Sequence, residues 1–405
     1  MQQEFLAVGI DIGSQTHRIA VMSPRGQIID QWFVKHRYAD FKKAARRMQA
    51  LSREYNLPLI VGIEGYNGYA SPFDQYLMDQ GITIKQINNL TLDRYRQLFG
   101  QPYKTDEYDA QLIASYLMQP LRSKTSAHAE NRLQPTCSLS KQIKLLARHQ
   151  KGLIKERTCY KNRLRKLLLG YFPELFDVYK DIFSPNCLAL IALAKSQPEL
   201  KVMNIKQLSA IKAPGCKRAL GKAKAALLKS LLCGYPNLTS HAQEMVAASY
   251  AKRINILDSE IKQLDRELSR LIPLHRSGES LLSVPGSGIK TTARIIGETG
   301  DISRFSTPDK FSVYSGVVCL RNESGIRSKS KNTKRVNHIL KDTFLKVATT
   351  SLRVNPESNV YYQRKRKEGH KHFSALKCLA HQIAKVIYKL MSSNSLYMPS
   401  YKKAA

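Results

Sequence analysis

Residues 5–12 are apolar except for Asp11, the pattern of a strand buried on both faces. Positions 17–22 and 27–34 alternate apolar with polar and predict two further strands, joined at Ser23-Pro24-Arg25-Gly26. Asp40 predicts the cap of a helix over 41–55. Residues 58–63 form another apolar strand that ends at Glu64. A helix near 70–80 and a strand at 82–88 follow. Thr105 is placed to cap a helix that runs to about 118. Beyond this point the period becomes helical. Residues 138–170 form one long helix whose positions Leu139, Ile143, Leu146, Gln150, Leu153, Arg157, Tyr160, Leu164 and Leu167 alternate by four and three, a heptad seam with two polar interruptions. A cleaner seam passes through Tyr250, Ile254, Leu257, Ile261, Leu264, Leu268 and Leu271. Two such helices could pair with each other or with a second protomer. The stretch 171–239 between them reads as a small helical insertion. Residues 311–320 read as a buried segment and 375–391 as an apolar helix.

Three strands in a hairpin series, then helix, strand, helix, strand and helices, is the order of the ribonuclease-H-like fold, a mixed sheet flanked by helices. That fold brings the ends of its first and fourth strands and its last helix to one sheet edge. Here those places hold Asp11, Glu64 and the pair Asp106 and Asp109, whose i, i+3 spacing puts both on one helix face. Any one of these acids is ordinary as a cap or turn former. All four together suit two divalent ions, which can activate an attacking oxygen and stabilise a leaving one in phosphodiester chemistry.

Charge sharpens that reading. The 405 residues carry 65 Lys and Arg against 31 Asp and Glu, a net of +34. The excess is uneven, with residues 1–120 holding 13 basic and 12 acidic side chains and the remainder carrying a net of +33. A nearly neutral catalytic domain followed by a nucleic-acid grip is the expectation. No apolar run is long enough for a membrane span, and no signal peptide is evident, so a bacterial cytoplasmic, nucleoid-associated protein is expected. The seven cysteines form no Cys-x-x-Cys pair and speak against a zinc site.

Further motifs lie in the basic part. Val284-Pro285-Gly286-Ser287-Gly288-Ile289-Lys290-Thr291 predicts a helix-hairpin-helix, with Pro285 and Gly286 ending one helix and the N–H groups of the next facing phosphate. Its candidate contacts are Gly286, Gly288, Lys290 and Thr291. Ser324-Gly325 is by itself a turn, but Arg321, Arg327, Lys329, Lys331, Lys334 and Arg335 flank it with phosphate-binding charge. Arg364, Lys365, Arg366 and Lys367 follow two tyrosines and form another basic run. Gly9-Ile10-Asp11-Ile12-Gly13 also permits an actin-like ATPase, but the second glycine-rich Asp loop which that reading needs is missing.

Gly9-Ile10-Asp11, Ile63-Glu64-Gly65, Lys104-Thr105-Asp106 with Asp109-Ala110, Val284-Pro285-Gly286, Gly300-Asp301-Ile302, Tyr314-Ser315-Gly316 and Ser324-Gly325 occur in one order. In that order they resemble the DEDD transposases of insertion-sequence family one hundred and ten and the related pilin-gene invertases. The resemblance covers nearly the whole chain. It implies a RuvC-like catalytic domain over 1–125 and a coiled-coil linker over 126–275 that contains the 171–239 insertion. A mainly helical transposase domain over 276–395 and a tail over 396–405 complete it. It implies Mg²⁺ held by Asp11, Glu64, Asp106 and Asp109, and Ser324 as the nucleophile of a covalent protein–DNA intermediate. It also implies donor and target DNA chosen by a structured bridge RNA, and a dimer or tetramer. The chain departs from the family at Lys329-Ser330-Lys331-Asn332-Thr333, where Ile-Ser-Lys-x-Gly is usual. The rival readings are a junction-resolving, metal-dependent nuclease that uses water in place of Ser324, and a non-catalytic nucleic-acid-binding scaffold.

Overall fold

The computed structural model describes residues 4–64, 71–87, 89–98, 106–119, 130–132, 138–192, 200, 202–212, 218–233, 241–324, 327–332 and 336–399. The chain forms two compact units, Met1–Thr136 and Cys137–Ala405.

The first unit is a six-stranded sheet. Its elements are β1 (Leu6–Ile12), β2 (Thr16–Met22), β3 (Ile28–Lys35), α1 (Tyr38–Glu54), β4 (Leu59–Glu64), α2 (Ser71–Asp79), β5 (Thr83–Ile87), α3 (Asn89–Leu98), α4 (Asp106–Met118) and β6 (Glu130–Arg132). The strand order is β3-β2-β1-β4-β5-β6. β1, β2 and β3 are antiparallel neighbours, β4 and β5 run parallel to β1, and β6 returns antiparallel to β5. A three-strand meander followed by two parallel strands is the ribonuclease-H-like sheet expected from the element order. Side chains alternate across it. Leu6, Val8 and Ile10 of β1 pack with Phe41, Met48, Phe73 and Leu77 from α1 and α2. Ala7, on the opposite face, packs with Leu92 and Tyr95 of α3 and with Ile113, Ala114 and Leu117 of α4. β1 is therefore covered on both sides, which is why its sequence is apolar as far as Ile10.

The second unit is almost wholly helical. Its first helix, α5 (Ser138–Tyr171), leads into α6 (Leu175–Val178), α7 (Pro185–Ala192), α8 (Ile205–Ser209) and α9 (Lys222–Cys233), and α10 (His241–Leu271) returns along α5. Leu153 of α5 packs against Leu257 and Ile261 of α10. The two polar interruptions of the α5 seam meet acids on α10 one heptad apart. Gln150 Nε2 donates to Asp265 at 2.8 Å, and the Arg157 guanidinium donates to Asp258 at 2.5 Å. The two helices thus run antiparallel within one chain. The insertion adds a core of its own, in which Tyr171, Phe172, Leu175, Leu188, Leu208 and Leu228 pack with the start of α10.

The C-terminal portion contains α11 (Gly278–Leu282), α12 (Ile289–Thr299), α13 (Pro308–Tyr314), the hairpin β7 (Cys319–Ser324) and β8 (Arg327–Asn332), α14 (His338–Val354), α15 (Pro356–Lys367) and α16 (His372–Ser393). Its core is built around Phe311 and Phe344, with Ile143 and Ala147 of α5 and Leu268 and Leu271 of α10 included. No described helix is long and apolar enough to cross a membrane.

Some boundaries differ from expectation. α1 begins at Tyr38 with Arg37 at its cap, so Asp40 lies inside the first turn, where an acid suits the helix dipole. α12 begins at Ile289, directly after the glycine turn. α3 and β6 have no counterpart among the expected elements. Thr105 lies outside the described residues.

Candidate functional site

Two parallel strands carry the same three-residue pattern at their ends, Gly9-Ile10-Asp11 on β1 and Gly62-Ile63-Glu64 on β4. They are in register, with Gly9 opposite Gly62 and Ile10 opposite Ile63. Asp11 and Glu64 therefore follow side by side. Being two positions from the glycines, they project from the same sheet face as those glycines do. Both acids are half-buried.

The glycines explain how a helix reaches that face. A Cβ on Gly9 would stand 1.9 Å from the Ala110 carbonyl oxygen, and one on Gly62 would stand 2.9 Å from Ile113 Cγ2. α4 thus lies directly on the two central strands, along a track without side chains. Asp109 immediately precedes the Ala110 that touches Gly9, so it is delivered to the corner where Asp11 and Glu64 end. Asp109 is fully buried. Asp106 heads the same helix, one turn earlier. Its side chain lies outside the described residues.

Arg96 of α3 completes this corner. Its guanidinium donates to Asp109 Oδ1 at 2.8 Å and to Asp93 at 2.9 Å. Burial by itself would lower the Arg96 pKa. The charge and hydrogen bond of Asp109 outweigh it, with help from the fields of Glu64 and Asp93, and raise the pKa instead. Arg96 is not among the residues expected from sequence. The usable signal was Leu92 and Tyr95, apolar positions three apart that mark a buried helix face beside it.

Among the described residues, no group of three or more His, Cys, Asp or Glu side chains is arranged to hold a metal ion as it stands. The donor chemistry nevertheless fits a hard divalent cation. The corner offers carboxylate oxygens, and it already draws in a positive charge, the Arg96 guanidinium.

The expected nucleophile lies in the second unit. Ser324 ends β7 at the tip of the two-stranded hairpin, paired with Arg327. The side chains of Ser324, Arg321, Arg327, Lys329 and Lys331 lie outside the described residues, as do Gly325, Lys334 and Arg335 altogether. The start of α14, which follows the hairpin, is well tied. Asn337, its cap, donates its backbone N–H to the Tyr314 carbonyl oxygen at 2.8 Å. Its side-chain amide donates to Glu298 Oε2, also at 2.8 Å. Glu298 in turn accepts two hydrogen bonds from Arg148 of α5, at 2.6 and 2.9 Å. Burial would raise the Glu298 pKa, but the bonds from Arg148 and Asn337 and the charge of Lys144 outweigh it and lower it. One buried carboxylate thus joins Asn337, the cap of α14, to α12 and to the long helix.

The remaining candidates are placed as follows. Gly286 has φ +87° and sits against the backbone of α14, with a built Cβ 2.6 Å from the Val347 carbonyl oxygen. The Thr291 hydroxyl accepts from the Gly288 N–H at 2.8 Å, so it caps α12. Lys290 pairs with Asp265 of α10 at 3.1 Å. On α15, Lys365 pairs with Glu368 at 2.6 Å, Arg364 reaches the same carboxylate at 3.7 Å, and Arg366 donates to the His370 carbonyl oxygen at 2.8 Å. Lys367 closes that helix as part of its basic last turn.

Comparison with known proteins gives matches at both ends of the chain. The DEDD transposase model of the IS110 family matches residues 8–173, and the model for transposases of the IS116/IS110/IS902 family matches residues 278–363. The 43.6 kDa protein of insertion element IS110 from Streptomyces coelicolor is 23% identical over 401 residues, covering 96% of this chain and 95% of its own. The 44.8 kDa protein of insertion element IS116 from Streptomyces clavuligerus is 24% identical over 331 residues, 80% of each chain. The 42 kDa protein of insertion element IS900 from Mycobacterium paratuberculosis is 32% identical over 162 residues, 40% of this chain and 41% of its own. A solved structure of Thermus thermophilus RuvC with a Holliday junction substrate aligns with 32% of this chain and 99% of its own, at 12% identity and a TM-score of 0.24. The fold assignment accordingly rests on the strand order above. Two transposase models in the order the motifs require, with insertion-element relatives spanning the full length, establish that the chain belongs to the IS110 family of DEDD transposases, enzymes acting on DNA in transposition.

Proposed function

We propose that this transposase is a site-specific recombinase that uses the acidic corner of the first unit to bind metal and Ser324 as its nucleophile. The observation that carries the proposal is the paired Gly-Ile-acid pattern of β1 and β4, crossed by α4 with Asp109 at the crossing. Asp11, Glu64, Asp106 and Asp109 would hold Mg²⁺, most simply two ions. Bound there, Mg²⁺ would supply Lewis-acid stabilisation of charge on phosphate and a lowered hydroxyl pKa. The chain's own contribution is to hold these carboxylates on two strand ends and on the first turn of α4, and to present Ser324 at the tip of a hairpin.

In the strand-breaking step the Ser324 Oγ attacks a DNA phosphorus. An Oγ–P bond forms, the P–O bond to one strand breaks, and the serine proton ends on the released sugar oxygen. A hydroxyl of another strand end reverses the step, restoring serine and joining new partners. The excess positive charge beyond residue 120 supports binding of DNA and of a structured bridge RNA that selects donor and target. The glycine turn before α12 supports a helix-hairpin-helix contact to phosphate, with Gly286, Gly288 and Lys290 nearest. The α5–α10 pair acts as a coiled-coil spacer, in a dimer or tetramer working on the bacterial nucleoid.

Strand exchange on the element's own ends, with covalent protein–DNA adduct trapped on denaturing gels, tests the mechanism. Asp11→Ala and Ser324→Ala should each abolish exchange, and Ser324→Ala should abolish the adduct. Cleavage that survives in Ser324→Ala would replace serine by water as nucleophile. Activity that survives Asp11→Ala and Glu64→Ala would remove the metal site. Sequencing of RNA bound to protein expressed together with the element's flanks tests guidance, and the absence of a defined RNA would refute it.

A further inference from the structure

Arg96 raises a question that the metal reading leaves open. Asp109 is one of four acids proposed to bind Mg²⁺, yet its side chain is fully buried and tied to a guanidinium at 2.8 Å. The Arg96 side chain itself is only 14% exposed, so the pair is not a loose surface contact. It comes from α3, a different helix from the acids, and it feels Glu64 as well as Asp109. A buried carboxylate without a counter-charge is strongly unfavourable, and a nearby cation relieves it.

We infer that Arg96 is the resident counter-cation of the acidic corner, and that it competes with divalent metal for Asp109. The inference rests on the metal reading of that corner and adds a named gatekeeper to it. With Arg96 docked, the described acids do not form a three-carboxylate set. The guanidinium occupies Asp109 Oδ1, so both oxygens of that carboxylate become available beside Asp11 and Glu64 only when it lets go. Asp93, half of the same arginine's pairing, is on α3 and more than half exposed. It offers the released guanidinium a partner without any movement of the helix. The device has a use for a DNA enzyme. The acids stay compensated while the protein is idle, and the site is completed only at a metal concentration or in a complex that draws Arg96 away, toward DNA phosphate for example.

The test is Mn²⁺ binding to the full-length protein, read by the electron paramagnetic resonance of free Mn²⁺ and by the Mn²⁺-induced rise in melting temperature. Arg96→Gln removes the competing charge. Coupling energies of close, buried charge pairs are large enough that the gain should be at least about tenfold in affinity, equivalent to about 1.4 kcal/mol. Arg96→Lys retains the charge and should stay within about threefold of wild type. The Arg96→Gln protein should melt below wild type without metal and recover with Mn²⁺. A variant that binds Mn²⁺ no tighter than wild type, or that stays unfolded at saturating Mn²⁺, overturns the inference. Asp11→Asn separates the two layers. If it weakens Mn²⁺ binding while Arg96→Gln leaves affinity unchanged, the metal site stands and the gatekeeper falls. If Asp11→Asn binds as wild type does, the metal reading itself falls.

Discussion

Adding one methyl group at Gly9 should unsettle the first unit far more than adding the same group at Gly62. At Gly9 the new Cβ would meet backbone, the Ala110 carbonyl oxygen at 1.9 Å and the Ala114 nitrogen at 2.6 Å. Ordinary van der Waals separation there would require α4 to withdraw by roughly 1.5 Å. Ile113 and Ala114 are fully buried under that helix and Leu117 nearly so, and withdrawal would open gaps beneath all three. Overpacking of a core costs about 1–3 kcal/mol where side chains can adjust, and a backbone obstacle puts Gly9→Ala at about 3 kcal/mol or above. At Gly62 the obstacles are the ends of flexible side chains, Ile113 Cγ2 and Leu117 Cδ1, both at 2.9 Å. A rotamer adjustment relieves them, for about 1 kcal/mol. At about 3 °C per kcal/mol for a unit of this size, the expected drops in melting temperature are about 9 °C and about 3 °C. Calorimetry on the full-length protein, following the transition of the first unit, measures both. The same displacement would carry Asp109 away from Asp11, so Gly9→Ala should also weaken Mn²⁺ binding. If Gly9→Ala melts within about 2 °C of wild type, or Gly62→Ala falls further than Gly9→Ala, α4 does not lie on the strands as described.

Three further outcomes follow from the electrostatics. Burial, together with the charge of His36, lowers the His17 pKa from 6.5 to about 4. Between those values the unfolded chain takes up a proton that the folded one refuses, so stability should fall as pH drops from 6.5 toward 4. His17→Phe, stacking on Phe73 in the same slot, should flatten that slope in a pH series of melting curves. Glu298 also loses stability on acidification, but at lower pH. Its folded pKa is lowered, so its contribution is complete above the ordinary 4.5 and is lost as pH falls through the lower folded value. Glu298→Gln should destabilise the second unit at neutral pH and remove this acid-side loss, and an unchanged acid limb would discount the Arg148–Glu298 link. Neutralising Arg364, Lys365, Arg366 and Lys367 together should reduce the salt dependence of DNA binding by about two in the log–log slope, and not by four. Lys365 and Arg364 already share Glu368, which leaves less charge for phosphate. A full loss of four would mean that the pairing breaks on DNA.

Much of the catalytic unit was legible because its signals are local. β1 declares its double burial by an apolar run that stops at Ile10, and the paired acids stand at strand ends that hydrophobic pattern alone locates. α3 was missed because its buried apolar positions, Leu92 and Tyr95, cover only a narrow stripe, and Leu98 at its end is exposed. Arg96 was missed for a deeper reason. Nothing in the spacing of 93, 96 and 109 says that an arginine on one helix will neutralise an acid on the next. Such pairing depends on how two helices cross the same sheet face, which is a tertiary fact.

The α5 seam shows the converse, in which an apparent flaw in the sequence carries information. Gln150 and Arg157 interrupt a heptad stripe, and on pattern alone they weaken it. Their partners Asp265 and Asp258 lie one heptad apart on α10, so the interruptions match only in a single antiparallel register. A slide of α10 by one heptad would leave a buried glutamine or a half-buried arginine facing apolar side chains, and unpaired polar groups in such a seam cost more than the lost packing. The register matters beyond the helix pair. Arg148, two residues before Gln150, is the arginine that holds Glu298, and Glu298 holds Asn337 at the start of α14. Asp265 also holds Lys290 at the start of α12. The polar positions that look like defects in the long helix therefore set where the start of α14 and the glycine turn stand relative to that helix. A smooth apolar seam would pack as tightly without fixing either.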